Sequence, residues 1–171
     1  GISLMVTSCK LLCVLLQKRI NRQLEHVNYF TPLQAGFRTR EECPIQCGVV
    51  VEIIKRRKLA NVPTYAVFID LSKAYDSVAH EGLFAKLKLA GINGRCLEYI
   101  KALYKASSFK VRTGLGEAAQ FSDTYSLDRG LRQGCPLSPV LFNIFINDIG
   151  DELEKSAVDV PVGKLSNWRD N

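Results

Sequence analysis

The 171-residue chain contains no apolar run approaching the roughly 20 residues that a membrane-crossing helix needs, so no membrane partner is expected. Its longest apolar stretch, Leu11–Leu16, is flanked by Lys10 and Lys18 and reads as the buried stripe of a helix. The first residues, Gly1-Ile2-Ser3-Leu4, lack both an initiator Met and a basic leader. No signal peptide is therefore expected, and the start at Gly1 reads as that of a cropped fragment. There is no internal repeat, no low-complexity tract and no linker, which excludes solenoids and strings of small modules. One domain, or a large part of a bigger one, is the size class that remains.

Of the residues present, 47% are hydrophobic, enough for a packed core and too many for a disordered chain. Lys and Arg number 23 against 17 Asp and Glu, a net charge of +6. That excess suits a polyanionic partner but speaks of encounter rather than fold or chemistry. Six cysteines stand at 9, 13, 43, 47, 96 and 135. Cys9 and Cys13 lie one helical turn apart in an apolar stripe, and Cys43 precedes Pro44 at a helix start. Free thiols in a reducing, intracellular compartment are expected rather than a zinc site.

Periodicity gives alternating helices and short strands, an α+β layer architecture. Leu4–His26 reads as one amphipathic helix and Tyr29–Arg38 as loop. A second helix spans about Cys43 to Leu59 with Val49, Val50, Ile53 and Ile54 inward. Tyr65-Ala66-Val67-Phe68-Ile69 reads as a buried strand that stops at Asp70. Val78–Ala90 is a helix stopped by Gly91, and Asn93–Lys105 another with Cys96, Leu97, Ile100 and Leu103 inward. Ser108–Arg112 and Gln120–Tyr125 form a hairpin across Gly114-Leu115-Gly116. A last helix covers about Pro139–Lys155, and Val158–Asn171 is poorly patterned.

Asp70 is the sharpest single residue. A carboxylate at the end of a buried strand is costly to hide unpaired. Facing a cleft, it can hold a divalent ion, as phosphoryl transfer by two metals requires. The plainer alternative is an Asp that caps the following helix. The densest basic run, Lys55-Arg56-Arg57-Lys58, would track phosphates. It equally suits the last turn of a helix, where cations complement the dipole. Phe109, Lys110 and Arg112 mix an aromatic with basic residues on the hairpin, and their reading is structural.

Three segments together resemble reverse transcriptases. Phe68-Ile69-Asp70-Leu71-Ser72-Lys73-Ala74-Tyr75-Asp76-Ser77-Val78 resembles that family's first palm motif. Gly130-Leu131-Arg132-Gln133-Gly134-Cys135-Pro136-Leu137-Ser138-Pro139 resembles its second, and Phe142–Asp148 extends the match. Gln34-Ala35-Gly36-Phe37-Arg38 resembles a fingers motif. Order and spacing fit the branch of non-LTR retrotransposons and group II introns, and the likeness covers nearly all of residues 1–155.

The resemblance implies a partial right-hand polymerase fold, with fingers over about 1–62, an incomplete palm over about 63–157, and a tail over 158–171. It implies Asp70 as a catalytic metal ligand with the Leu71 carbonyl completing the same ion's shell, two Mg²⁺ ions in a complete enzyme, and Tyr75 beneath the incoming sugar. Gln133 and Gly134 would lie over the nucleotide, and Arg38 would contact the triphosphate or template. Asp76 suits a helix-start or supporting role better than a metal bond. Partners would be an RNA template, a DNA primer and deoxynucleoside triphosphates.

One motif departs from the family. A third palm motif, an aromatic, one residue and two aspartates on a tight hairpin, belongs soon after Asn167, where this chain reads Trp168-Arg169-Asp170-Asn171. No apolar strand flanks that segment, and Asp170 reads as a terminal residue. A single Asp70 would hold two Mg²⁺ poorly, so little or no polymerase activity is expected of the 171 residues by themselves. The palm sheet would also keep an unpaired edge. The leading reading is an RNA-directed DNA polymerase domain of a retroelement. The alternatives are a non-catalytic nucleic-acid-binding remnant and a group II intron maturase-type enzyme. No endonuclease, RNase H or integrase signal is present.

Overall fold

A computed structural model describes residues 3–38, 41, 43–105, 108–114 and 119–156. Its elements run α1 (Thr7–His26), α2 (Cys43–Leu59), α3 (His80–Leu89), α4 (Gly94–Lys105), β1 (Ser108–Phe109), β2 (Arg112–Thr113), β3 (Gln120–Phe121), β4 (Tyr125–Ser126), α5 (Ser138–Ile146) and α6 (Ile149–Ser156). The mixture is α+β, as expected, with helices forming the core and the strands a small ribbon. The Val158–Asn171 segment, with Trp168 and Asp170, lies outside the described residues.

The core is built where α3 and α5 pack together, with α4 and α1 against them. Leu83, Phe84 and Leu87 of α3, Leu97, Ile100 and Tyr104 of α4, and Val140, Leu141 and Ile144 of α5 share one buried cluster with Ile20 and Leu24 of α1. Each set recurs at helical spacing, and each fully buried aliphatic contributes about 1.5–3 kcal/mol. Tyr104 is wholly buried; burial pushes its phenol up to about 12. Its hydroxyl lies 3.5 Å from Ser138 Oγ, which donates to the Arg132 carbonyl at 2.8 Å.

Three helices end in the same way. After α1, Tyr29 N–H donates to Leu24 O at 2.9 Å and Asn28 N–H to Glu25 O at 3.2 Å. Val62 to Arg57 and Asn61 to Lys58 repeat the pair after α2, and Ile92 to Leu87 and Gly91 to Lys88 repeat it after α3. The residue at the bend has a positive φ each time: Asn28 at 50°, Asn61 at 55° and Gly91 at 79°. Asn and Gly tolerate that left-handed backbone best, so these are Schellman terminations.

The structure corrects several sequence expectations. The helix expected from Leu4 begins at Thr7, because Val6 has a non-helical backbone with ψ 136°; upstream, Ser3 N–H donates to the Gln133 carbonyl at 2.7 Å. Leu11, Leu12 and Leu15, expected to be buried, are exposed; α1 turns Cys13, Ile20 and Leu24 inward. Helix α2 has the expected bounds but buries no residue, and its presumed inward stripe of Val49, Val50 and Ile54 is exposed. The presumed buried strand has no regular structure and no strand partner: Tyr65 is 90% exposed and Phe68 89%. An apolar run becomes a buried strand only with neighbours on both edges, and no described residue pairs with this one.

The last helix is broken in two at Asn147–Asp148, which serve side-chain bonds. Asn147 accepts from Thr31 N–H and donates to Tyr29 O, both at 3.0 Å. Lys86 bonds the Phe145 carbonyl and reaches Asp148 Oδ1 at 2.6 Å, holding the Asp148 carboxyl below its usual range.

Candidate functional site

The two palm-like motifs are stitched together by backbone. Gly130 N–H donates to Val78 O and Leu131 N–H to Tyr75 O, both at 2.8 Å, while Ala79 and Arg129 form an antiparallel bridge. His80 Nε2 lies 2.8 Å from Gly130 O and its ring packs 5.1 Å from Tyr104. Gly130 has φ +90°, and a Cβ there would meet Asp76 Cα at 3.1 Å and Tyr75 O at 3.3 Å. This glycine is what lets the two loops touch. Tyr75 is half-buried with its ring 5.1 Å from Phe142, and burial raises its phenol above its usual range.

The turn after Leu131 carries Gln133 and Gly134 into solvent. Gly134 has φ +98°. Behind it, Cys135 packs near Cys13 of α1, which also neighbours Cys9. Burial and the neighbouring Cys135 thiol push Cys13 up to about 12, so it stays protonated. All six cysteines are free. Thus Tyr75, Gln133 and Gly134, distant in sequence, belong to one hydrogen-bonded unit seated on α1, α3 and α5.

Asp70 and Leu71 are exposed in the irregular segment that leads to this unit. Among the described residues, no hydrogen bond or ion pair ties the Asp70 side chain, and no group of three or more His, Cys, Asp or Glu converges as a metal cage. The donors that are present, a free carboxylate and the following carbonyl, are the hard oxygens that Mg²⁺ takes alongside substrate phosphates. The basic run closes α2. Arg56 pairs with Glu52 at 2.7 Å and Arg57 donates to the Pro63 carbonyl at 2.6 Å. Lys55 and Lys58 are exposed beside them.

Arg38 is engaged internally. Its Nε and Nη2 meet the two Glu25 oxygens at 3.0 and 2.8 Å, its Nη1 donates to the Thr31 and Gln34 carbonyls, and its guanidinium lies over Phe30. The bidentate pair holds Glu25 below its usual range, chiefly through the Arg38 hydrogen bonds. A carboxyl lowered in the folded state stabilises above its ordinary value of 4.5 and loses that contribution as pH falls through the folded value. Urea denaturation should therefore find E25Q less stable by roughly 1–2 kcal/mol at pH 7. The gap should close toward pH 3, and a gap of constant size would refute the assignment.

Sequence reasoning missed the residues that hold the Thr31–Arg38 loop. Asn143, 2% exposed on α5, donates to Gly36 O at 2.7 Å and accepts from Gln34 Nε2 at 3.2 Å. One turn on, Asn147 holds Thr31 and Tyr29. Two asparagines four residues apart in an apolar helix were the available signal, since a buried amide needs partners.

A family model described as reverse transcriptase (RNA-dependent DNA polymerase) matches residues 1–165. The chain is a reverse transcriptase domain of the non-LTR retrotransposon type. A Pol polyprotein of the type-2 retrotransposable element R2DM from Drosophila melanogaster is 26% identical over 78% of the domain. An R2 polyprotein from Popillia japonica is 26% identical over 84%, and the RNA-directed DNA polymerase of mobile element jockey from Drosophila funebris 28% over 88%. The domain spans only 12%, 20% and 16% of those three relatives. No helix among its described residues is long and apolar enough to cross a membrane.

Proposed function

We propose that the domain supplies the fingers and part of the palm of a right-hand polymerase, taking an RNA template, a DNA primer and deoxynucleoside triphosphates. The observation that carries this reading is the junction of Tyr75 with the Gly130–Gly134 turn, because a nucleotide site needs a sugar floor and a roof from two distant segments. Tyr75 would sit beneath the sugar. Gln133 would donate to the nucleotide, and Gly134 would permit its close approach. Asp70 and the Leu71 carbonyl would hold Mg²⁺, which neutralises developing phosphate charge when bound. Lys55, Arg56, Arg57 and Lys58 would meet phosphates of the template or primer. Arg38 would act on the nucleotide side through the loop it braces.

Binding of a fluorescent deoxynucleoside triphosphate to the 171-residue chain, with and without Mg²⁺, tests the reading. D70N should abolish the Mg²⁺-dependent part, Q133A should weaken binding about ten-fold, a hydrogen-bond-sized loss, and Y75A should erase preference over the ribonucleotide. Mg²⁺-independent binding that ignores all three changes would refute it. The second reading, a nucleic-acid-binding module without catalysis, is favoured by the absence, among the described residues, of any group of three or more His, Cys, Asp or Glu at Asp70. Asp70-dependent primer extension by the chain would exclude it.

A further inference from the structure

The ribbon formed by β1 to β4 has exposed residues on both strands and lends nothing to the core. A two-stranded hairpin is marginal in water, and a ribbon that only connects has no use for exposed aromatic rings. This one carries three, Phe109 at 46% exposure, Tyr125 at 51% and Phe121 at 64%. The sequence alone favoured a structural role for Phe109, Lys110 and Arg112, but a structural role requires burial, and these side chains are exposed.

Their arrangement is specific. Phe109 faces Tyr125 directly across one ladder, with ring centroids 5.7 Å apart and planes inclined by 32°. Arg112 faces Phe121 across the other. Two residues separate Phe109 from Arg112, but three separate Phe121 from Tyr125, so the partner strand bulges between the ladders. Ser122 closes the bulge: its N–H donates to Val111 O, and its Oγ accepts from Val111 N–H, both at 2.9 Å. A bulge coils a ribbon and re-aims its side chains. Lys110 and Arg112 form no salt bridge among the described residues.

We propose that this ribbon is a stacking surface for single-stranded nucleic acid, with bases on Phe109, Tyr125 and Phe121 and phosphates met by Lys110 and Arg112. Aromatic faces accept any base, whereas a duplex hides its bases from them. Asp123 and Asp128 lie in the same stretch and limit the charge excess, so stacking rather than charge supplies most of the affinity. Strand β4 ends four residues before Gly130, so the ribbon joins the segment that carries the Gln133–Gly134 turn. The proposal rests on the reading that the domain acts on nucleic acid, and names where a single strand is held.

The test is fluorescence anisotropy of the 171-residue chain with a labelled oligouridylate and with a duplex of equal length. The wild type should prefer the single strand. F109A/Y125A should weaken single-strand binding about ten-fold or more, leaving duplex binding and the salt dependence unchanged, and F109W/Y125W should restore it. K110A/R112A should lower the slope of log affinity against log salt by about 1.4, at about 0.7 per phosphate. F121A, outside the Phe109–Tyr125 pair, should also weaken the single strand if the ribbon stays folded by circular dichroism. Wild-type-like binding by F109A/Y125A and F121A would overturn the ribbon while leaving the nucleic-acid reading intact. A wild type that binds neither oligonucleotide would overturn both. Equal loss on single strand and duplex, or self-association that F109A/Y125A abolishes, would assign the aromatics to another surface and overturn the proposal.

Discussion

Replacing Gly130 with alanine is expected to lower the thermal midpoint by roughly 6–12 °C, the shift that about 3 kcal/mol produces in a domain of this size. Two costs combine. An alanine at φ +90° is held in backbone that L-residues avoid, costing of order 1–3 kcal/mol. Its Cβ would also press on Asp76 Cα at 3.1 Å, Asp76 O at 3.2 Å and Tyr75 O at 3.3 Å, all backbone atoms that cannot rotate aside. The loops would have to part, stretching the 2.8 Å bonds from Gly130 N–H to Val78 O and from Leu131 N–H to Tyr75 O. Gly91 is the control. It has φ +79° with nothing within 4 Å of the added Cβ, so G91A suffers the backbone cost alone, about 1–2 kcal/mol. Differential scanning calorimetry of both variants decides the matter. Equal shifts would mean that the contact between the motifs is loose and that the Gln133–Gly134 turn does not depend on Gly130.

That contact marks the boundary of what could be read without coordinates. Gly91 as a helix stop, the α4 core residues Leu97 and Ile100, and the pairing of the hairpin's strands were legible because they depend on local pattern: a positive φ that glycine tolerates, a 3.6-residue period, two short runs close in sequence; the expected turn residues Leu115 and Gly116 lie outside the described residues. Asn28 and Asn61 end their helices as Gly91 does, but asparagine is ambiguous in sequence. The failures arose where tertiary partners decide. Val49, Val50 and Ile54 have the pattern of an inward face, and Tyr65–Ile69 the composition of a buried strand, yet no described residue covers either. Composition states that a segment can be buried; neighbours determine whether it is. At the candidate site, the motifs singled out Asp70, Tyr75, Gln133 and Gly134, and the structure joins the Tyr75 segment to the Gly130–Leu131 turn. They could not reveal that Arg38 spends its guanidinium on Glu25, or that the Thr31–Arg38 loop hangs from Asn143 of α5 and from Asn147 just beyond it.

The second of these dependencies gives a result with a pH signature. N143D should destabilise the domain by roughly 3 kcal/mol at pH 7, the range for leaving a charged group poorly satisfied in a buried position. One oxygen of the aspartate can still accept from Gln34 Nε2, but the other takes the place of the Nδ2 that donates to Gly36 O at 2.7 Å. Two acceptors then face each other at a site 2% exposed. Protonation repairs the bond, because a carboxylic acid can donate to the Gly36 carbonyl. Burial and the opposing carbonyl thus raise the folded pKa of the new group above its unfolded value of about 3.9. For a carboxyl shifted upward, the deficit is absent below the unfolded value and grows as pH rises through the folded one, by at most about 1.4 kcal/mol per pH unit. The stability difference between wild type and N143D should therefore be small near pH 4 and approach its full size by pH 6 to 7. N143A, which loses both bonds without adding a charge, should cost about 1–3 kcal/mol at every pH. Titration of Glu25 and Asp148 occurs in all three proteins and cancels in the differences. Chemical denaturation from pH 4 to 7 measures them. A flat N143D deficit, parallel to that of N143A, would mean that the loop gives way and lets water reach the carboxylate, so that Asn143 packs beside Gly36 without holding it in place.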